Sequence, residues 1–275
     1  MEQDRKVVTG IVAGNNRIAG GNAGYNARGS AGGSAGGIYE MVIKTDVCKD
    51  FIAGQFINIY LNDRSMLLPR PISISEASAE NVTIVYRTVG KGTELLAAYS
   101  AGERVRMSSP LGNGFSLKED YSGKHLALVA GGIGLPPMIG LAGVLKKRNA
   151  SVNVFLGFQS EVFLTAKFEQ TACCLSFSTE DGSAGFHGNV VELLMENNSI
   201  YDEYFACGPR GMLKALCDYT AKTERGVQVS LEERMGCGYG ACLGCSCDVK
   251  EGAKAVKKSV CKHGPVFAGN EVAWD

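Results

Sequence analysis

Residues 230–247 read Ser-Leu-Glu-Glu-Arg-Met-Gly-Cys-Gly-Tyr-Gly-Ala-Cys-Leu-Gly-Cys-Ser-Cys, and this run limits the fold more than any other part of the chain. Cys237, Cys242 and Cys245 follow a C-x4-C-x2-C spacing, and Cys261 comes after fifteen further residues. That is the plant-type spacing of a [2Fe–2S] cluster: three thiolates on one tight loop hold one edge, and a distant fourth closes the cage. A chain wrapped around a small inorganic core needs positive φ and close backbone approach, which Gly236, Gly238, Gly240 and Gly244 allow. Bare amides there can also donate to the sulfurs and raise the reduction potential. Two other uses of the thiols stay open. Zinc sites usually show two C-x2-C pairs or a Cys/His mixture, and here Cys242 and Cys245 form a single such pair. A redox dithiol would use that pair and leave Cys237 and Cys261 without a role. Cys247 is read as a bystander thiol on the other face of a strand over 247–250.

At 275 residues the chain can hold two or three compact units. Its 28 basic and 28 acidic residues cancel, so neither nucleic acid nor an anionic membrane is indicated as the main partner. No apolar run reaches membrane-spanning length and no leader-like segment opens the chain, which reads as cytoplasmic. In that compartment ten cysteines are ligands or plain thiols rather than disulfides. Cys48, Cys173, Cys174, Cys207 and Cys217 sit in apolar surroundings and are expected to be buried.

A first strand is predicted over 6–13. Residues 14–37, rich in Gly, Ala, Asn and Ser, have too little apolar surface to offset ordering and are expected to form a flexible insertion. From residue 38 short strands over 39–45, 55–61, 72–76, 81–88 and 104–109 suggest an antiparallel barrel of about six strands. Two spots on it suit an anionic cofactor: Arg70-Pro71-Ile72-Ser73, and Val85-Tyr86-Arg87 followed by Gly90-Lys91-Gly92-Thr93 at the start of a helix over 94–98. An ordinary strand and turn explain each equally well.

After residue 123 the period changes. Residues 125–130 form a continuous apolar strand of parallel-sheet type, ending in Gly131-Gly132-Ile133-Gly134-Leu135-Pro136-Pro137 before a helix over 138–148. The full G-x-G-x-x-G is missing because Pro137 holds the third glycine position. Strands over 151–157, 175–179 and 204–207, with helices over 162–170, 189–196 and 212–225, complete an α/β unit. The loops at 131–137, 180–185 and Cys207-Gly208-Pro209 meet at the carboxyl ends of its strands, where such sheets bind ligands. Glu180 or Asp181 either accepts from a ribose 2′-hydroxyl, favouring NAD over NADP, or caps a turn.

With these segments in view, the chain resembles flavin reductases of the ferredoxin–NADP reductase superfamily. Within it the resemblance, over residues 38–267, is to the electron-transfer subunits of NAD-dependent (class 1B) dihydroorotate dehydrogenases. The superfamily's Arg-Pro-x-Ser motif, which binds FAD, falls on Arg70, Pro71, Ile72 and Ser73. Its later flavin segments fall on Val85, Tyr86, Arg87, Gly92 and Thr93. Its nicotinamide-side motifs fall on Gly132, Gly134, Cys207, Gly208 and Pro209. The run from Ser230 to Cys242 and the ending Gly264-Pro265-Val266-Phe267 are the features specific to this family.

The resemblance implies three units: a flavin-binding β-barrel over 1–118, an α/β nucleotide-binding domain with a parallel sheet over 119–226, and a small [2Fe–2S] domain over 227–275. The ligands would be Cys237, Cys242, Cys245 and Cys261. It implies FAD, a [2Fe–2S] cluster and NAD as cofactors of an oxidoreductase subunit in pyrimidine (UMP) biosynthesis. The partner would be the catalytic, FMN-containing dihydroorotate dehydrogenase subunit in a heterotetramer with two copies of each. No acid or base for carbon chemistry is expected, and His125, His187 and His263 read as ordinary surface or core histidines. Two alternatives remain: a reductase subunit serving another acceptor, of the ferredoxin:NADP oxidoreductase or sulfide dehydrogenase type, and a flavin-free regulatory or metal-binding scaffold on a degenerate reductase fold.

Overall fold

The computed structural model describes residues 6–20, 36–252 and 254–274. Six strands, β1 (Val7–Ala19), β2 (Ile38–Lys44), β3 (Phe56–Tyr60), β4 (Arg70–Ala77), β5 (Asn81–Arg87) and β6 (Arg104–Ser108), close into an antiparallel barrel. Their order is β1-β2-β5-β4-β3-β6. Alternate side chains point inward, so Met41, Ile43, Ile57, Ile59, Ile84 and Met107 fill the interior. Helix α1 (Lys91–Ala97) caps the barrel between β5 and β6.

The first strand runs to Ala19, six residues past its predicted end, because Gly14 to Ala19 pair with β2 through backbone groups that need no apolar side chain. The front of the segment predicted to be a flexible insertion is therefore sheet. Its central part, 21–35, lies outside the described residues.

The α/β unit carries β7 (His125–Gly131), α2 (Leu135–Lys147), β8 (Ser151–Phe158), β9 (Cys174–Thr179), β10 (Phe186–His187), α3 (Val190–Glu196), β11 (Glu203–Cys207), α4 (Arg210–Lys222) and β12 (Gly226–Ser230). There follow the hairpin β13 (Ser246–Glu251) and β14 (Lys254–Ser259), α5 (Val260–His263) and β15 (Val266–Ala268). The large sheet runs β10-β9-β8-β7-β11-β12-β15, parallel except for β15, which lies antiparallel to β12. The strand order reverses between β7 and β11, and that crevice is the switch point at which open α/β sheets take ligands.

Three expectations need correction. The helix predicted over 162–170 is a single 3-10 turn, Thr165–Lys167, because Phe163 and Phe168 are drawn into the core and Leu164 adopts positive φ. The sheet also crosses the boundary at 226/227: β12 and β15 extend it from both ends of the cysteine-rich unit. Cys173 and Cys174 are exposed, since they stand at the open start of β9, where the two-residue β10 gives no cover. Cys48 and Cys217 are buried as expected, and Cys207 is partly so.

The units interlock. Gly140 of α2 lies against the Ser75 carbonyl of β4, and Lys167 bridges Glu40 (3.1 Å) and Glu76 (3.2 Å) of the barrel.

Candidate functional site

The four candidate cluster thiols are drawn into one loop system by backbone hydrogen bonds. Tyr239 and Cys242 amides donate to Cys237 Sγ (both 3.5 Å), and Gly244 N donates to Cys242 Sγ (3.5 Å). Gly240 N donates to Cys261 Sγ (3.1 Å), and Cys261 N donates to Cys245 Sγ (3.4 Å). Five amides thus meet all four sulfurs, an environment that favours thiolate ligands. The loop takes this shape because Gly238 (φ +79°) and Gly240 (φ +88°) adopt left-handed backbone.

Burial opposes ionisation of Cys237, yet the Tyr239 and Cys242 amides outweigh it and bring the thiol down to about 6. Cys261 goes the other way. Burial, and then the adjacent Cys245, push its thiol up to about 12. Cys242 is exposed and Cys237 half-buried, whereas Cys245 and Cys261 are 1% and 2% exposed. Among the described residues no three His, Cys, Asp or Glu side chains close around a single metal ion. Cys247 joins Val249 in the core, and burial raises its thiol.

On the barrel, Arg70 opens β4 and its guanidinium lies on Gly92, where any Cβ would collide with it. The arginine is steadied by the Leu68 carbonyl (2.8 Å). Pro71 and Ser73 point to the outer face, opposite Ile72, which packs inward. On β5, Val85 packs toward the α/β unit and Arg87 is exposed at the strand end.

Two residues assigned to a flavin use their hydroxyls for bonds within the chain. Tyr86 fills the barrel interior, stacks on Tyr39 and donates to Asn15 Oδ1 (2.9 Å); burial raises its phenol. Thr93 Oγ1 accepts from Val89 N (2.8 Å) and donates to the Gly90 carbonyl (3.0 Å), closing its own turn. The sequence pattern of β5 alternates correctly, but it cannot say which face of the barrel meets a ligand.

The nucleotide-side motifs converge. Gly132–Gly134 forms a 3-10 turn directly after β7, and α2 begins at Leu135 with Pro136 and Pro137 in its first turn, where no amide partner is needed. A Cβ on Gly134 would lie 2.6 Å from the Cys207 carbonyl carbon and 2.7 Å from Gly208 N. A Cβ on Gly208 would stand 3.0 Å from Gly131 N. The loops 131–137 and 207–209 therefore touch backbone to backbone across the switch point. Burial pushes the Cys207 thiol up to about 12, so it is neutral at pH 7. Asp181 caps its turn by accepting from Ser183 N (3.0 Å), and the Ser183 hydroxyl first, then this amide, holds its carboxyl below the usual range. It also lines a cavity of about 620 Å³ with Arg17, Ser160 and Glu161.

Sequence reasoning missed Asn58. This fully buried side chain of β3 donates to the Cys237 carbonyl (3.1 Å). Its only signal was one polar residue in the apolar strand Phe-Ile-Asn-Ile-Tyr.

A closed antiparallel barrel, a parallel sheet with its glycine loops at the switch point and a C-terminal four-cysteine unit define an oxidoreductase of the ferredoxin–NADP reductase type. The NADH-dependent reduced ferredoxin–NADP oxidoreductase structure, described for flavin-based electron bifurcation, is similar over 96% of this chain and 90% of its own, with TM-score 0.79 and 25% identity. A ferredoxin NADP+ reductase from Neisseria gonorrhoeae with bound FAD and NADP shares the fold at 16% identity and TM-score 0.59, over 79% of this chain and 91% of that one.

Residues 232–273 match the iron–sulfur cluster binding domain of dihydroorotate dehydrogenase B. The electron transfer subunit of dihydroorotate dehydrogenase B (NAD(+)) from Bacillus pumilus is 43% identical over 242 residues, covering 86% of this chain and 92% of that protein. Its counterpart from Enterococcus faecalis is 42% identical with the same coverage. The chain belongs to this family of electron transfer subunits.

Proposed function

We propose that this chain is the electron-transfer subunit of an NAD-dependent dihydroorotate dehydrogenase, holding FAD, a [2Fe–2S] cluster and a site for NAD. Family membership supports the role, and the five amides directed at four cysteine sulfurs are the observation that carries the cluster assignment. Cys237, Cys242, Cys245 and Cys261 would ligate the cluster. Arg70, Pro71, Ile72, Ser73, Val85, Arg87 and Gly92 would hold FAD, with Tyr86 and Thr93 shaping that site from behind.

The backbone of Gly132, Gly134, Cys207, Gly208 and Pro209 would receive the nicotinamide nucleotide. The close contact of these loops fixes the width of the cleft. A protonated Cys207 adds no charge there. Among the described residues, Asp181 and Glu161 line a cavity with the single cation Arg17, and an acid at this strand end would disfavour a 2′-phosphate and fit NAD. When bound, a flavin joins two-electron hydride chemistry to a one-electron carrier.

The partner would be the catalytic, FMN-containing subunit that oxidises dihydroorotate to orotate, two copies of each chain forming a heterotetramer. No helix among the described residues is long and apolar enough to cross a membrane.

The test is an anaerobic absorption spectrum with iron, sulfide and flavin measured on one sample, followed by an orotate-linked assay. About two irons and one FAD per chain, with NAD+ reduction by dihydroorotate only after the catalytic subunit is added, is the expected result. Flavin without iron would remove the cluster, and activity with ferredoxin in place of that subunit would remove the pyrimidine role.

A further inference from the structure

Asn58 stands between the segment assigned to the flavin and the segment assigned to the cluster. Its neighbours Ile57 and Ile59 fill the barrel interior, so alternation turns Asn58 outward. Across the ladder Asn58 pairs with Pro71, and Phe56 pairs with Ser73, which puts Asn58 on the face of the barrel that carries two residues of the Arg-Pro-x-Ser segment. On its other side Nδ2 donates to the carbonyl of Cys237 (3.1 Å). Gly238 closes over the same carboxamide, and a Cβ there would lie 2.9 Å from Oδ1 and 3.0 Å from Cγ. The strand itself is pinned by Asn58 N donating to Ser108 Oγ (2.9 Å).

This is an expensive way to fill space. Asn58 is 0% exposed and its Oδ1 has no hydrogen-bond partner among the described residues. A buried acceptor left unpaired destabilises a fold, and an apolar side chain of similar size would avoid the penalty. The donor end is what an apolar replacement could not reproduce.

We propose that Asn58 is a positioning residue for electron passage: its carboxamide holds the Cys237 loop in register with the barrel face that carries Pro71 and Ser73. The inference rests on the flavin and cluster assignments above. It adds that their mutual placement depends on one side chain that ligates neither. With NADH as reductant, a bound flavin would take up two electrons as hydride and would pass one on to the cluster, keeping the other. Asn58 acts only on that second transfer.

The experiment uses the full chain, isolated anaerobically with flavin and iron quantified, as wild type, Asn58→Asp and Gly238→Ala. The aspartate keeps the shape but loses the donor and is the deciding variant; the alanine crowds the same contact from the loop side and also strains the left-handed backbone at Gly238 (φ +79°). Stopped-flow mixing with NADH separates flavin bleaching from cluster reduction, and electron paramagnetic resonance during a redox titration gives the cluster's spectrum and midpoint. The expected result is wild-type flavin bleaching with cluster reduction slowed about 10- to 100-fold, the range for outer partners of metal ligands, together with a shifted spectrum or midpoint. Wild-type cluster reduction and spectrum in iron-loaded variants would overturn the proposal. So would loss of iron from both variants with flavin retained, since Asn58 would then serve formation of the cage and not its placement. Wild-type protein lacking flavin or iron would instead refute the function it rests on.

Discussion

Gly134→Ala gives a sharp test of the nucleotide cleft, because the collision it creates is with backbone on both sides. The new Cβ would sit 2.6 Å from the Cys207 carbonyl carbon and 2.7 Å from Gly208 N, inside the 3.0 Å that real Cβ atoms keep. The Cys207 carbonyl oxygen is closer still, so restoring an ordinary contact of about 3.5 Å requires the loops to part by more than about 1 Å. Gly134 has φ −78°, so the alanine suffers no backbone strain and the whole effect is steric. Overpacking of this kind costs about 1–3 kcal/mol. Expressed as a misfit of the bound nucleotide, that weakens NADH by about 5- to 150-fold. Gly143→Ala in the same helix is the control: nothing lies within 4 Å of its Cβ, and alanine should stabilise the helix by about 0.4–1 kcal/mol. The assay is anaerobic flavin reduction followed against NADH concentration, with thermal midpoints of both variants. Cluster content should be unchanged in each. If Gly134→Ala binds NADH like wild type and melts no lower, the loops at 131–137 and 207–209 do not set the cleft.

Cys261→Ser should lose iron while keeping flavin. Cys247→Ser should keep iron and melt lower, by about 1–3 kcal/mol for a buried hydroxyl without a partner; iron and sulfide assays beside a melting curve decide both. Tyr86→Phe leaves Asn15 Oδ1 without its donor, although Asn15 Nδ2 still reaches the Leu96 (3.0 Å) and Tyr99 (3.0 Å) carbonyls. A loss of about 1–3 kcal/mol with unchanged flavin content is expected, and flavin loss would return Tyr86 to the ligand face. The Asp202 carboxylate accepts from His125 N (2.9 Å) and Lys124 Nζ (3.2 Å), and the His125 amide first, then Lys124, lowers its pKa. Its stabilisation is therefore present above the ordinary aspartate range near about 4 and lost as pH falls through the lowered value. Asp202→Asn should melt below wild type at pH 7, and the gap should close in acid; a gap independent of pH would contradict this.

The parts of this molecule that sequence reveals are those in which one short stretch does the work. The cysteine spacing, the outward and inward alternation of β2 to β6 and the apolar run of β7 are local, and each appears in the structure within a residue or two of its expected bounds. What escaped depends on distant partners. β15 is three residues long and becomes a strand only because β12 offers an edge. Residues 14–19 hold no core, yet β2 pairs with them. Tyr86 and Thr93 have the residue types of a ligand site, but Asn15 and the turn at Gly90 claim their hydroxyls. Asn58 was visible as an oddity, and its meaning required Cys237, 179 residues away.

The same long-range bonds explain how a cysteine-rich unit with little core of its own can be held still. Both of its ends are tied to one place: Leu231 N donates to the Pro265 carbonyl (2.8 Å), and β15 then joins β12. Asn113, from the link after the barrel, fastens that place to the rest. Its Nδ2 donates to the carbonyls of His263 (3.0 Å) and Val266 (3.0 Å), its Oδ1 accepts from Val266 N (3.1 Å), and its own amide donates to the Gly264 carbonyl (2.7 Å). Asn58 supplies a further tie, on the Cys237 side of the loop. Among the described residues the unit is thus fastened at both its closing segment and its ligand loop, which fixes the loop of Cys237 against the barrel. These ties lie on the inner side of the loop, so Cys245 and Cys261 are buried where the unit is anchored and Cys242 is left exposed on its outer edge.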